Sequence, residues 1–387
     1  MATVLCAWEI GDGHGHVRNL LAVAALLRAA GHRAVFVLPT SQVTAARLVE
    51  AAGWPVERLL LPPHPSLAQY LAPFANYRAA SFLDVMGLHA FDSTDRLAPA
   101  LARYAIALRQ HQVDAVLCES APVAMLAARV ARLPCVAAGT SFGLPELRQG
   151  FAPYPQLDAW PTTPIFTDTA VLATINRAAD AAFTSTADAL MPARIVPFCY
   201  PAMDHYGDAR SLSHRGVGPV WQLAPQAPVR QPRGFAYLQS AYPAIDALVS
   251  AIRTSGIPFT VYVRNGKFSG GANMTVVQEF DAREEMRRAS FVVHHGSAGL
   301  GQAALGAGIA QVCFPYHVEN MNNAYRLQAL GVSKAIGHGQ VQAFVEFLLD
   351  ASDSRADAAR VIAAQLEAHA WEFPGAKVAA AAIDDLL

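Results

Sequence analysis

The sequence predicts an α/β protein with two doubly wound domains, each a parallel sheet between helices. Short buried-strand runs alternate with amphipathic helices, an order typical of parallel sheets. The length of 387 residues fits two domains better than one. A proline- and glycine-rich stretch without a sustained period, residues 216–234, separates two such series. We therefore expect domains at 1–220 and 221–374, with a cleft between them where the carboxyl ends of the strands collect.

The composition fits a folded protein that binds small molecules. Apolar residues make up 53% and charged residues 15% of the chain, which is enough for two packed cores. The formal net charge of −1 provides no basic field, so we expect no nucleic-acid partner. Five cysteines without a CxxC pair indicate reduced thiols in a cytoplasmic protein. The N-terminus lacks the cationic start of a signal peptide, so we expect none. The uncharged stretch 296–318 is rich in glycine, so we expect a buried helix and strand there and no membrane span.

The first domain begins with a strand, a glycine turn and a helix. In the helix 17–30, the residues Val17, Leu20, Leu21, Ala24 and Leu27 share one face, and Gly31 follows its end. The same reasoning predicts strands at 3–8, 34–38, 57–60, 115–118, 135–138 and 182–184. Helices are expected at 17–30, 41–52, 95–111, 122–131 and 169–179.

Two irregular stretches, 62–93 and 140–169, interrupt this order and are rich in aromatic residues. Long loops in compact domains are often functional, so one interpretation is the wall of an acceptor site for a flat or apolar molecule. The other is aromatic packing inside irregular segments. The residues concerned are Tyr70, Phe74, Tyr77, Phe82, Phe142, Phe151, Tyr154 and Trp160.

The second domain repeats the pattern. Strands are expected at 235–238, 259–263, 274–278, 291–293 and 311–314. Helices are expected at 242–255, at 282–289, after the glycine-rich turn and at 375–387. A polar turn with Glu319 and Asn320 follows the strand 311–314.

Three clusters of reactive side chains fall at the ends of predicted strands. The turn GDGHGH places His14 and His16 between the first strand and helix, although it lacks the third glycine of a dinucleotide fingerprint. Glu119 ends the strand that should lie beside it, and a carboxylate there could hold an imidazole in its basic tautomer. The alternative is a solvated glutamate at a strand end. The third cluster is the turn after 291–293, which includes His294 and His295 and should bind phosphate through its backbone amides.

These stretches resemble family 1 of the glycosyltransferases, and the resemblance covers most of the chain. GHVRNLLAVAALLRAAGH is similar to the family's opening GHxxPxLxLAxxLxxRGH, and residues 279–330 resemble the donor motif HGGxGTxxEALxxGxPxxxxPxxxDQxxNAxRLxxLG. Residues 199–219 resemble the segment that ends at the interdomain YxGP, and the last helix resembles one that crosses back to the first domain. The resemblance implies the GT-B fold, with an acceptor-binding first domain and a donor-binding second domain, and the bacterial natural-product enzymes are most similar in style.

The resemblance also implies roles for single residues. His16 matches the catalytic base, with His14 left open as the alternative, and Glu119 stands where the family often has an aspartate partner. His295 matches the histidine that contacts the donor pyrophosphate. The other implied donor residues are Gly296, Ser297, Ala298 and Gly299 at the phosphate, Glu319 and Asn320 at the sugar, and Phe280 among the elements that pack on the base. The implied acceptor residues are His14, Phe82 and Phe142.

The implied reaction is an inverting, metal-independent transfer from a dTDP- or UDP-sugar to a hydroxyl, with no further cofactor. Among the departures from the family's pattern, Leu300 replaces a threonine and Ala303 replaces the glutamate that usually binds the ribose hydroxyls. The loss of that glutamate favours a dTDP-sugar. A nucleotide-sugar hydrolase of the same fold and a non-catalytic transferase partner remain alternatives. The sequence does not identify the acceptor, and it does not decide whether the protein forms a homodimer.

Overall fold

The computed structural model describes residues 1–11, 14–60, 79–147, 150–154, 163–227, 231–337, 340–341, 343–344, 354–368 and 375–387. The chain forms two compact units. The first holds the described residues up to Val220 together with 375–387, and the second holds those from Trp221 to Ala368. Tyr70, Phe74, Tyr77 and Trp160, which were predicted to be acceptor-site or packing aromatics, lie outside the described residues.

The first unit contains a six-stranded parallel sheet. Its strands are β1 (Thr3–Trp8), β2 (Arg33–Pro39), β3 (Val56–Leu59), β4 (Ala115–Glu119), β5 (Cys135–Gly139) and β6 (Arg194–Pro197). They lie in the order β3-β2-β1-β4-β5-β6, so the order reverses between β1 and β4. In open α/β sheets such a switch point leaves a crevice at the carboxyl ends of the strands, where ligands bind.

Helices cover this sheet. Their bounds are Gly15–Ala29, Val43–Ala51, Phe82–Met86, Thr94–Gln110, Pro122–Ala131, Asp168–Ala179, Thr186–Leu190 and Gly375–Asp384, with a π-helical turn at Gly87–Phe91. The last helix adds Ala376, Ala379 and Ile383 to the apolar core formed by β1 and the helix Gly15–Ala29. The C-terminal end of the chain is therefore part of the first unit.

The second unit contains a second six-stranded parallel sheet. Its strands are β7 (Gly234–Gln239), β8 (Phe259–Arg264), β9 (Met274–Val277), β10 (Phe291–His294), β11 (Ala310–Cys313) and β12 (Ser333–Ala335). The order β12-β11-β10-β7-β8-β9 puts the switch point between β10 and β7. The helices are Ile245–Thr254, Ala282–Arg288, Ala298–Ala307, Val318–Ala329 and Ser354–Ala368. Two doubly wound parallel sheets are thus confirmed.

The predicted strand at 182–184 is wrong. The side chain of Asn176 donates to the carbonyl of Phe183 (3.1 Å) and accepts from its backbone N–H (2.9 Å). This clamp occupies both backbone groups that a sheet ladder would need. The sixth strand is instead Arg194–Pro197, which pairs with β5.

The predicted polar turn around Glu319 is also wrong. Both Glu319 and Asn320 lie in the first turn of the helix Val318–Ala329. The imidazole of His317 caps this helix by accepting from the backbone N–H of Asn320 (3.4 Å). Histidine is not among the preferred capping residues, so the sequence carried no start signal here.

In the second irregular stretch, residues 141–147 are buried and include a short 3₁₀ turn, Ser141–Gly143, whereas residues 163–169 are partly or fully exposed. In the first stretch, residues 79–93 form the helix Phe82–Met86 and the π-helical turn. Among the helices that the structure describes, none is long and apolar enough to cross a bilayer.

Candidate active site

A histidine and a carboxylate meet at the switch point of the first sheet. Glu119 is the last residue of β4, in register with Trp8 at the end of β1, and His16 lies in the first turn of the following helix. His16 Nδ1 is 2.8 Å from Glu119 Oε1. The imidazole also stacks on the Trp8 indole, with ring centroids 5.1 Å apart and planes at 20°. The ring is therefore held on one side by an apolar face and at one nitrogen by a carboxylate.

The electrostatics of this pair suit a general base. Burial raises the pKa of the Glu119 carboxyl, while the hydrogen bond to His16, the charge of His16, the backbone N–H of Thr140 and the Asn19 side chain oppose the rise. When the Glu119 carboxylate is ionised it can only accept, so a neutral His16 ring bonded to it carries its proton on Nδ1. The lone pair is then on Nε2, which is the basic nitrogen. About 12% of the His16 side chain is exposed, against none of Glu119.

Two glycines make room for the pair. Gly139 has φ +151°, and a Cβ placed on it would come within 3.0 Å of both oxygens of Glu119. Gly11 has φ +114°, and a Cβ there would come within 3.0 Å of His16 Nε2. A side chain at position 11 would therefore fill the place beside the basic nitrogen. Sequence reasoning included Gly11 in the first turn but missed Gly139, which lies 20 positions from its carboxylate.

The geometry favours His16 over His14 as the base. His14 is the N-terminal capping residue of the helix Gly15–Ala29, and its carbonyl accepts from Arg18 N (3.0 Å). The hydrogen bond to Glu119 is made by His16. The carboxylate therefore orients the ring of His16.

Three aromatic residues of the two irregular stretches, Phe82, Phe142 and Tyr154, pack on one another. Phe142 stacks on Tyr154 (4.9 Å, 12°) and meets Phe82 and His205 edge to face at 6.4 and 5.8 Å. Phe82 is 3% and Phe142 9% exposed. These contacts are those of an apolar core, and the proposed acceptor contacts of Phe82 and Phe142 stay predictions.

In the second unit, a tight turn joins β10 to the helix Ala298–Ala307. Gly296 has φ +81°, and a Cβ there would come within 3.0 Å of the Asn320 carbonyl oxygen. The Gly296 carbonyl accepts from Asn323 Nδ2 (2.9 Å) and Asn320 Nδ2 (3.5 Å). Only glycine allows this close approach, which fixes the turn against the helix Val318–Ala329.

Two amides of this turn are engaged within the protein, so the phosphate contacts expected of Gly296 and Ser297 stay predictions. The N–H groups of Gly296 and Ser297 donate to His294 Nδ1, at 3.1 and 3.0 Å. No residue in the described ranges accepts from the N–H groups of Ala298, Gly299 or Leu300, which open the helix. The donors at this helix N-terminus, with its positive dipole end, are therefore the amides of 298–300.

Both ring nitrogens of His295 are engaged within the protein. Nδ1–H donates to the Phe314 carbonyl (2.8 Å), and Nε2 accepts from Gln239 N (3.1 Å). Burial lowers the pKa of this imidazole to about 3. The neutral ring ties the end of β10 to β7 and to the residue after β11, and its contact with a pyrophosphate stays a prediction.

Asn320 brings an unused acceptor to the same turn. Its side chain is buried, with 7% of the residue exposed, and Oδ1 has no hydrogen-bond partner among the described residues. Glu319 beside it is half-buried. A carboxylate and an amide oxygen beside the turn that is predicted to bind phosphate suit the hydroxyl groups of a sugar.

No family model matches the sequence, and no curated protein matches it either. Solved structures do match over the whole chain. CalG4, the calicheamicin glycosyltransferase, superposes with a TM-score of 0.70 at 17% identity and covers 100% of this chain and 98% of its own. Glycosyltransferase VinC in complex with dTDP gives 0.65 at 15% identity, with 99% of both chains covered. Spinosyn rhamnosyltransferase SpnG with spinosyn aglycone gives 0.65 at 15%, covering 98% of this chain and 99% of its own.

The chain has the GT-B fold. At these identities the likeness concerns the fold, which agrees with the two parallel six-stranded sheets.

One aromatic group of the GT-B chain was missed from the sequence. Tyr237 and Tyr262 stack on neighbouring strands (5.5 Å, 11°), and Phe280 lies 5.7 and 4.8 Å from them. Both tyrosines are half-buried. Each tyrosine lies on the half-buried face of its strand, two residues before the end of the strand, and this position could have identified the pair from the sequence. Phe280 was expected to contact a nucleobase, and its role stays a prediction.

Two buried imidazoles make the stability of this GT-B chain depend on pH. Burial lowers the pKa of His294 to about 4 and that of His295 to about 3. Because the unfolded pKa is about 6.5, the neutral rings stabilise the fold above that pH, and stability is lost as pH falls toward the folded values. We expect a loss of about 1.4 kcal/mol per pH unit from each ring in this window.

Urea unfolding across that pH range measures this loss. In His294→Asn the slope should fall by the contribution of one ring, about 1.4 kcal/mol per pH unit. An unchanged slope in this variant would show that His294 carries a proton in the folded protein.

Proposed function

We propose that this chain is an inverting glycosyltransferase that moves a sugar from a dTDP- or UDP-sugar to an acceptor hydroxyl without a metal ion. The observation that carries the proposal is the His16–Glu119 pair at the switch point of the first sheet, in a fold shared with glycosyltransferases. A carboxylate-oriented imidazole is the arrangement that general-base catalysis needs.

The first unit supplies the base. His16 Nε2 takes the proton of the acceptor hydroxyl as its oxygen forms a bond to the anomeric carbon. The bond from that carbon to the diphosphate oxygen breaks on the opposite face, and its electron pair leaves with the diphosphate. Glu119 stabilises the imidazolium that forms, through its hydrogen bond to Nδ1. Such a base contributes about 10²–10⁴-fold to the rate.

The second unit supplies the donor site. The amides of Ala298, Gly299 and Leu300 and the positive helix end stabilise the departing diphosphate, which is the role that a metal ion has in other transferases. Asn320 Oδ1 and the Glu319 carboxylate accept hydrogen bonds from the sugar hydroxyls. The dTDP bound to VinC is a donor nucleotide of the proposed class.

A dTDP-sugar is the preferred donor in this proposal. Ala303 and Leu300 belong to a buried apolar cluster with Phe235, so no carboxylate stands at the position expected to bind a ribose 2′-hydroxyl. Deoxythymidine lacks the 2′-hydroxyl, so a dTDP donor loses no hydrogen bond when this carboxylate is missing. In thermal-shift measurements at equal concentrations, we expect dTDP to raise the melting temperature more than UDP, and UDP more than GDP. A shift with UDP as large as that with dTDP would contradict this preference.

Transfer is tested with intact dTDP- and UDP-sugars and a panel of hydroxyl-bearing acceptors. Mass analysis should find the sugar adduct, with undiminished yield in EDTA. Free sugar without an adduct would instead indicate a nucleotide-sugar hydrolase. The burial of Phe82 and Phe142, the two rings predicted to contact the acceptor, supports that alternative. Nucleotide binding without any turnover would indicate a non-catalytic partner, in which the His16–Glu119 pair has no purpose.

A further inference from the structure

A buried chain of hydrogen bonds runs beneath the turn after β10. The N–H groups of Gly296 and Ser297 donate to His294 Nδ1 at 3.1 and 3.0 Å. His294 Nε2 is 2.8 Å from Gln311 Oε1, and Gln311 Nε2 donates to the Gly301 carbonyl at 3.0 Å. Both side chains, His294 and Gln311, are fully buried. The chain therefore connects the first residues of the turn to the first turn of the helix that follows.

Every bond in this chain has one direction. Backbone N–H groups can only donate, so His294 Nδ1 must be an acceptor and its proton must lie on Nε2. The Gln311 oxygen then accepts this proton, and the Gln311 amide group faces the Gly301 carbonyl. A flipped glutamine or the other imidazole tautomer would leave buried groups unpaired, which costs about 1–3 kcal/mol for each.

Two titratable neighbours share this interior. Cys313 Sγ lies 3.5 Å from His294 Nε2 and accepts from Ser333 Oγ at 3.4 Å. Burial raises the pKa of this thiol to about 12, so it is neutral. His295 is the other neighbour, and its ring is neutral and fully engaged. Neither neighbour supplies a charge that would favour a protonated His294.

We propose that His294 and Gln311 are positioning residues that hold the donor turn in its diphosphate-binding form. By occupying the amides of 296–297, the His294 ring bends the turn so that the amides of 298–300 face the ligand. Gln311 keeps that ring in the accepting tautomer. The inference rests on the proposed function for the identity of the ligand, and it gives the first of the two adjacent histidines a role that the family motif does not assign.

A matched pair of variants tests the acceptor role. His294→Leu removes the acceptor, whereas His294→Asn keeps a carbonyl oxygen near the same amides. By calorimetry, we expect His294→Leu to weaken dTDP binding by about tenfold or more, with thymidine affinity within about twofold of wild type. His294→Asn should recover most of the dTDP affinity. Equal dTDP affinity in wild type and His294→Leu would overturn the inference, as would an equal loss for dTDP and thymidine.

Gln311→Glu tests the tautomer and remains informative if His294→Leu does not fold. The new carboxylate still accepts from Nε2–H but favours a protonated ring, which donates from Nδ1 and can no longer accept the amides. The ratio of wild-type to variant dTDP affinity should rise by about tenfold as the pH is lowered from about 8 to about 6. Taking the ratio at each pH removes the ionisation of dTDP itself. A ratio independent of pH would overturn the role of Gln311.

Nucleotide binding and transfer by the wild type separate a failure of this inference from a failure of the proposed function. If wild type binds none of dTDP, UDP and GDP, the proposed function is wrong and this inference falls with it. If wild type binds dTDP and transfers sugar while the variants bind equally well, only the inference is wrong.

Discussion

Replacing His16 with alanine is expected to reduce sugar transfer by about 10²–10⁴-fold while leaving dTDP affinity within about twofold. In the proposed mechanism the acceptor hydroxyl then has no base, whereas the diphosphate is held by amides of the second unit. Turnover by mass analysis and dTDP affinity by calorimetry are the two measurements. A fall in turnover without a fall in affinity is the signature of a group that acts in the transition state.

His14→Ala is the matched control, because it removes the neighbouring imidazole without removing the Glu119 hydrogen bond. It should leave the bulk of the turnover in place. If His16→Ala turns over at a rate near that of wild type and His14→Ala does not, the assignment of the base is wrong and passes to His14.

Gly139→Ala is expected to lower turnover by about 10–100-fold, although residue 139 makes no contact with substrate in the proposed mechanism. The added Cβ would collide with the fully buried carboxylate of Glu119 and displace it from His16. Unfolding free energy should fall by about 1–3 kcal/mol, because a side chain at φ +151° is strained and a buried charge loses its place. Turnover and urea unfolding are measured on the same preparations.

Gly31→Ala separates the effect of backbone strain from the effect of the collision with Glu119. Gly31 also has a positive φ, +88°, but a Cβ there meets nothing within 4 Å. This variant should lose about 1–2 kcal/mol of stability from backbone strain and keep its turnover. If the two alanine variants have the same turnover, Glu119 does not hold the catalytic ring.

Much of the fold could be predicted because its elements have clear periods. The strand Thr3–Trp8 and the helix Pro122–Ala131 were predicted with their observed bounds. The two wrong element predictions fall where a side chain takes the place of a backbone hydrogen-bond partner. Asn176 clamps Phe183 in place of a strand, and the His317 imidazole begins a helix where a polar turn was expected.

The location of the candidate site could also be predicted, because parallel strands bring their carboxyl ends to one edge. This rule paired Glu119 with the turn that holds His16, and the structure brings them together. The same rule could not decide which of two neighbouring histidines acts in the site, either in the first turn or after β10. The pyrophosphate contact of His295 follows from the motif and stays a prediction, and the rings of His294 and His295 are both hydrogen-bonded within the protein.

The sequence by itself determined most of the element types, the two sheets, the reactive side chains at the strand ends and the departures at Leu300 and Ala303. Only the tertiary structure decided that Gly139 makes room for Glu119, that Gln311 orients His294, and that Phe82 and Phe142 are buried. The physical reason is that periodicity reports which face of an element is covered, whereas hydrogen bonds and steric room depend on partners far away in the chain.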